Sequence, residues 1–247
     1  MTQAHCWTSL RRFASVAALA ATAAGSAFAQ SQGQVTVAVR GGYASYDKSA
    51  SLDAAPVMGL DAMYGINNWL SIGPALSLGR PQTTGSHFIS VITYGVLNLG
   101  DTTYFYEATQ PVNVLDGALN VRVQLPGRKL SPYATAGIGG YTLFLDVQAN
   151  RGERHKVGLS FNAGAGALYA LTERAGITFD IRSMTYTDYD RNVLDPRDDV
   201  VNFRTRVEET LYAEDFKPAP RSKSTVTNFV FSFGFSYVPF FFGGGGS

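Results

Sequence analysis

Ser86 and His87 are adjacent, with Asp101 and Glu107 downstream, so one stretch holds a hydroxyl, a base and two acids of the kind hydrolysis uses. His155 is the other histidine beyond residue 29, and no spacing orients either imidazole toward a nucleophile. A second pattern, Asp188-x-Asp190-x-Asn192 with Asp199 at the twelfth position, resembles a calcium loop. Position six of that loop is Val193, where a glycine makes the sharp turn, and position twelve is Asp in place of a bidentate Glu. It reads better as a solvated acidic loop than as a metal site, and the sequence calls for no cofactor. A third set, Arg40, Arg122 and Arg182 with Asp61, Asp116 and Asp180, balances three cations against three anions. The meaning of that set depends on which way each side chain points.

Composition narrows the class. Of 247 residues only 16% are charged, against about 25% in soluble domains, while 26 Gly, 13 Tyr and 16 Phe suit a β protein. Twenty Lys+Arg face 19 Asp+Glu without a basic stripe, which argues against nucleic acid as a partner. Residues 1–29 read as a signal peptide. Arg11 and Arg12 precede FASVAALAATAAGSAF (13–28), and Ala27-Phe28-Ala29 is a small-x-small cleavage pattern. The run is short for a membrane-spanning helix, which needs about 20 residues. The lone cysteine, Cys6, lies in this segment, which excludes disulfides and cysteine chemistry from a mature chain of residues 30–242 with a Gly-rich tail, 243–247.

Eight segments alternate in polarity: 35–46, 57–65, 69–79, 112–125, 132–145, 156–171, 175–186 and 225–238. At about 3.3 Å per residue and a tilt near 40°, ten residues span roughly the 25 Å apolar band of an outer membrane. The connections alternate without exception. The second, fourth and sixth (66–68, 126–131, 172–174) are short, and the first, third, fifth and seventh (47–56, 80–111, 146–155, 187–224) are long. A transmembrane barrel with both termini in the periplasm requires that parity; a soluble sandwich does not. The faces agree with it. Phe229, Phe231, Phe233, Phe235 and Tyr237 share one face of the last segment, opposite Ser232, Gly234 and Ser236. The six charges listed above fall on the small or polar faces, as they must if a Lys or Arg facing lipid at mid-depth costs about 2–4 kcal/mol. The fold class is therefore all-β, an eight-stranded antiparallel up-and-down transmembrane barrel, with Phe229 to Tyr237 facing lipid and the charges facing the lumen.

In that frame the six charges are either a selectivity filter or proton path, or a salt-bridged plug, and an interior only as wide as its own side chains favours the plug. Aromatics near the segment ends predict two interfacial girdles: Tyr64, Trp69, Tyr133, Tyr169 and Tyr237 at one rim, Tyr43, Tyr46, Phe144 and Tyr186 at the other. Pro74, which removes a ladder donor, predicts a bulge or local kink in the third segment. YATAGIGGYTLF (133–144) has no clear alternation, so its facing stays open. HFISVITYGVLNL and TYFYEA, in the third connection, are strand-like and predict either a hairpin above the membrane or a ten-stranded wall. Val200, Phe203, Val207 and Leu211 recur at helical spacing after Asp195-Pro196 and predict a short amphipathic helix.

SPYATAGIGGY (131–141) and GLSFNAGAGALYALTERAGITFDIR (158–182) resemble the small outer-membrane β-barrel domain family of Gram-negative bacteria, the OmpA/OmpW-like group. Pro132-Tyr133, Asn162 to Gly166, Thr172-Glu173-Arg174 and Asp180 to Arg182 carry the likeness. It implies fold and location. The implied partners are outer-membrane lipid and lipopolysaccharide, the barrel-insertion machinery, and an extracellular ligand reached through the loops. It leaves the activity open among anchors, adhesins and narrow channels for small hydrophobic solutes. Lipid-modifying enzymes also use such barrels, and the scarcity of oriented histidines argues against that class here. Barrels of this kind end in an aromatic residue that the insertion machinery reads. Phe242 would fill that place if Gly243 to Ser247 is an appended linker; a native glycine tail is the other reading.

Overall fold

Alternation of apolar with small or polar residues satisfies a backbone that must close on itself. In the computed structural model, which describes residues 32–96, 100–127, 129–145, 155–195, 204–206 and 221–241, it does so as a barrel. The strands are β1 (Gln34–Ser45), β2 (Ala55–Gly65), β3 (Leu70–Gly79), β4 (Ile89–Val96), β5 (Gly100–Thr109), β6 (Val112–Gln124), β7 (Leu130–Leu145), β8 (His155–Ala170), β9 (Ala175–Thr187), β10 (Arg204–Arg206) and β11 (Thr225–Phe241). Eight of them close in the order β1-β11-β9-β8-β7-β6-β3-β2, each antiparallel to its neighbours. Closure leaves no unpaired edge, which backbone in lipid cannot tolerate. No helix among the described residues is long and apolar enough to cross a membrane.

The third connection forms a hairpin outside the wall, not a ninth and tenth barrel strand. There β4 pairs with β5, and β10 adds to the far edge of β5. Residues 204–206 are therefore strand, where helical spacing predicted a helix. The free edge of β5 offers them ladder hydrogen bonds, which outweigh a weak helical preference. Val200, Phe203, Val207 and Leu211 lie outside the described residues, as do the signal peptide and residues 243–247.

Pro74 causes no bulge. The β2–β3 register is the same on both sides of it, with pairing lapsing between Asp61↔Ala75 and Tyr64↔Ile72. The bulge sits at another proline: β11 places Val238 and Pro239 opposite Thr36 alone, and the extra residue accommodates a position with no N–H to donate.

Side chains obey the period of two. Phe229, Phe231, Phe233, Phe235 and Tyr237 point outward, each 44–54% exposed, and Phe233 meets Phe179 of β9 with ring centroids 5.1 Å apart. On β7, whose facing the sequence left open, Ser131, Tyr133, Thr135, Tyr141, Leu143 and Leu145 are buried and Ala134, Ala136, Ile138 and Phe144 face out. Each barrel strand finds both its partners within the barrel. Excision of residues 89–107 is therefore expected to leave a barrel that still migrates differently before and after boiling on a gel. Loss of the folded band would show that the hairpin belongs to the wall.

Candidate functional site: the sealed lumen

The lumen is built in three layers, and the middle one is ionic. Asp61 on β2 accepts from Arg40 Nη2 on β1 at 2.7 Å, from Arg182 Nη2 on β9 at 2.9 Å and from Arg122 Nη2 on β6 at 3.4 Å. Asp180 on β9 accepts from Arg182 Nη2 at 2.8 Å, Arg40 Nη1 at 3.4 Å, Tyr133 Oη at 3.0 Å and Ser232 Oγ at 3.1 Å. The Arg122 guanidinium also lies over the Tyr133 ring, 4.4 Å from its centroid. Five of the six predicted charges thus form one cluster joining four strands. Asp61 is only 1% exposed, so each guanidinium it binds offsets the several kcal/mol that an isolated buried ion would cost.

Asp116, expected in that network, stands apart from it. The ion pairs among the described residues do not include it, and its Oδ2 is buried without a hydrogen-bond partner. Asp116 pairs in register with Ser77 and Tyr141, two positions toward the long-loop end from Ala118, whose β3 partner Ala75 pairs with Asp61. Asp116 lines a cavity of about 20 Å³, room for about one water, together with Arg40, Ser77, Asn120, Asn162 and Arg182. Beside it Asn162 Nδ2 donates to Asn120 Oδ1 at 2.9 Å.

Glycines on the inner wall make room for these groups. A Cβ at Gly164 would stand 2.8 Å from Arg182 Cγ, one at Gly234 would stand 2.6 Å from Arg40 Cγ, and one at Gly166 would stand 2.5 Å from the Tyr133 ring. The Gly-x-Gly pattern of β8 is thus the imprint of large inward side chains on its two neighbours: Gly164 pairs with Arg182 of β9 and Gly166 with Tyr133 of β7.

Apolar caps close both ends of this layer. At the short-turn end Tyr133, Leu168 and Val238 pack together. At the long-loop end three loops fold inward over the lumen and bury Leu52, Phe88, Val193 and Leu194 against Tyr141, Tyr186, Tyr189 and Val226. Tyr141 and Tyr186 stack with centroids 4.3 Å apart. Hydrogen bonds lock the loops to one another: Tyr189 Oη donates to Ala50 O at 2.7 Å, Gln110 Nε2 to Leu194 O at 3.0 Å, and Thr84 N to Ser51 O at 2.9 Å. Three residues assigned to the aromatic girdles belong to this interior instead, among them Tyr46, which is half-buried against the loop-end cap. Tyr133 and Tyr186 are buried, because each shares strand parity with inward neighbours, whereas Tyr43, Tyr64, Trp69, Phe144, Tyr169 and Tyr237 are exposed.

The chemistry suggested by the loop residues is redistributed. His87 Nδ1 lies 2.8 Å from the Oγ of Ser51, which is buried, and not from its neighbour Ser86. Glu107 packs on Gly85, while His155 sits opposite Phe144 at the start of β8. Asp190 accepts from Asn192 N at 3.0 Å and caps the turn Arg191–Leu194, whose Val193 is buried in the cap. Asp188 occupies left-handed backbone (φ 60°), and Asp199 lies outside the described residues. Groups of three or more His, Cys, Asp or Glu placed to hold a metal are absent from the described residues.

Bulky apolar residues outside, charges inside and long loops at one end define an outer-membrane type of β-barrel. The chain belongs to the outer membrane protein beta-barrel domain family, whose model matches residues 14–207. Its structure is similar to that of Neisserial surface protein A, with a TM-score of 0.50 and 12% identity, covering 82% of this chain and 96% of that one. Weaker likenesses link it to Ail, the attachment invasion locus protein of Yersinia pestis (TM-score 0.41, 9% identity, 83% and 99% covered). The N-terminal barrel domain of Pseudomonas aeruginosa OprF is similar to the same degree (TM-score 0.40, 14% identity, 83% and 100% covered). No curated protein matches the chain.

Asp61 is the hub of the ionic layer, so Asp61→Ala takes the carboxylate from Arg122 and leaves Arg40 and Arg182 to share Asp180, and it is expected to cost about 3–5 kcal/mol. Urea unfolding of the protein in lipid vesicles measures this, and a loss below about 1 kcal/mol would remove the network from any account of stability.

Proposed function

We propose that this protein is a non-enzymatic outer-membrane element that acts through its long loops, with a lumen plugged rather than conducting. The observation that carries the reading is the stacking of an ionic layer between two apolar caps, so that the axis of the barrel is occupied by paired side chains from wall to wall. A path for ions or small hydrophobic solutes would have to displace charge pairs held in a low-dielectric interior, where such pairs are strongest. The outward apolar band would contact outer-membrane lipid and lipopolysaccharide. The aromatic-rich last strand would engage the barrel-insertion machinery, and the loop end, facing out of the cell in barrels of this kind, would present the surface for an extracellular ligand.

Planar-bilayer recording of the purified protein tests the plug directly. We expect a silent bilayer; reproducible conductance steps would overturn the reading in favour of a narrow channel. A change in lipid A mass that depends on the protein and disappears in His87→Ala would instead favour a lipid-modifying enzyme.

A further inference from the structure

We propose that the loop-end cap is an acid-released lid whose titrating pivot is His87. Three loops meet at this residue. The first contributes Ser51, whose hydroxyl lies 2.8 Å from His87 Nδ1 and whose side chain is cut off from bulk solvent. Ser51 is held there in left-handed backbone (φ 57°), a conformation a non-glycine residue keeps only when its surroundings enforce it. His87 itself stands in a 3₁₀ turn, Gly85–His87, joined to the first loop by Thr84 N donating to Ser51 O and by Thr84 Oγ1 donating to Asp53 Oδ1 at 2.7 Å. The last loop contributes Arg191, which belongs to the turn that seals Val193 and Leu194 into the cap.

A neutral imidazole suits this junction and a charged one does not. Protonation makes both ring nitrogens donors, so the Nδ1–Ser51 contact survives only with Ser51 Oγ as the acceptor, and it places a second cation near Arg191 in a partly buried site. Burial first, and Arg191 second, hold the His87 imidazole below its ordinary range, while Asp53 pulls the other way. A base whose pKa is depressed in the closed lid binds its proton more readily once the lid opens. The closed lid is therefore fully favoured above the ordinary histidine range, and that advantage is lost as pH falls through it. The other titratable groups at the junction are Asp53 of the first loop and Glu107 of β5, whose carboxylate lies against Gly85; Asp47, at the start of the first loop, is held by Ser49 and Lys223. Hydrogen bonds from Ser49 keep Asp47 below the usual carboxylate range, so it stays ionised while His87 titrates.

Hydrogen–deuterium exchange of the full chain in lipid vesicles tests this, at about pH 7.5 and about pH 5.5, either side of the ordinary histidine value, with rates corrected for intrinsic exchange. Peptides covering 47–54, 81–88 and 188–195 are expected to open about five-fold more often at the lower pH, while the barrel strands do not change. His87→Gln keeps an acceptor that does not titrate and should show equal protection at both pH values. Arg191→Gln should shrink the wild-type response. Unchanged wild-type protection would overturn the proposal, and so would a His87→Gln lid that responds as the wild type does, since the carboxylates would then be responsible.

Discussion

Charge cannot enter a narrow apolar cylinder singly. An eight-stranded barrel has an interior only as wide as its own side chains, and an ion there has no bulk water to solvate it. Arg40, Arg122 and Arg182 are tolerable because Asp61 and Asp180 stand among them, and both carboxylates are tolerable for the same reason. Much of the inner wall follows from that pairing. Gly164 and Gly234 are small where arginine stems must pass, and Gly166 is small where Tyr133 crosses to reach Asp180. A ring at Tyr133 serves three needs together: it donates to a carboxylate, carries a guanidinium on its face and closes the short-turn end of the lumen.

The same constraint divides labour along the chain. Strand residues are committed to lipid on one face and to the plug on the other, which leaves little wall free for recognition. The loops are committed only in part. Some of their apolar residues, Leu52, Phe88, Val193 and Leu194, turn down into the cap and rigidify it, while Asp53, Ser86 and Arg191 remain near the surface. The extra sheet of β4, β5 and β10 adds ordered backbone outside the wall, beyond what closing the barrel needs.

The barrel was largely legible in the sequence because two periodicities coincide there: alternation within strands and short–long alternation between them. Arg40, Asp61, Asp180 and Arg182 could be placed inward on parity alone. Parity could not say which charges meet: Asp116 shares a cavity with Arg40 and Arg182, yet the ion pairs among the described residues do not include it. Tyr133 and Tyr186 were misplaced because an aromatic near a strand end suits a membrane interface or a lumen equally. The deciding signal is the parity each shares with Thr135 and Met184, together with small residues opposite them on β8, Gly166 and Ser160. The Ser51–His87 contact joins loops separated by 36 residues, and nothing local announces it. The two prolines mark irregularities of different kinds: at Pro74 the β2–β3 pairing lapses with its register kept, and at Pro239 the strand takes an extra residue.

Nitroxide labels along β11 measure the central claim most directly, namely that this strand turns its aromatic face to lipid and its small-residue face to a sealed interior. With the protein in vesicles, labels at Phe229, Phe231 and Phe233 should collide freely with oxygen dissolved in the acyl chains, and labels at Ser232 and Ser236 should be shielded from oxygen and from water-soluble relaxers alike. Oxygen access at Ser232 and Ser236 with shielding at the phenylalanines would invert the barrel, and equal access along the strand would mean that no closed wall exists.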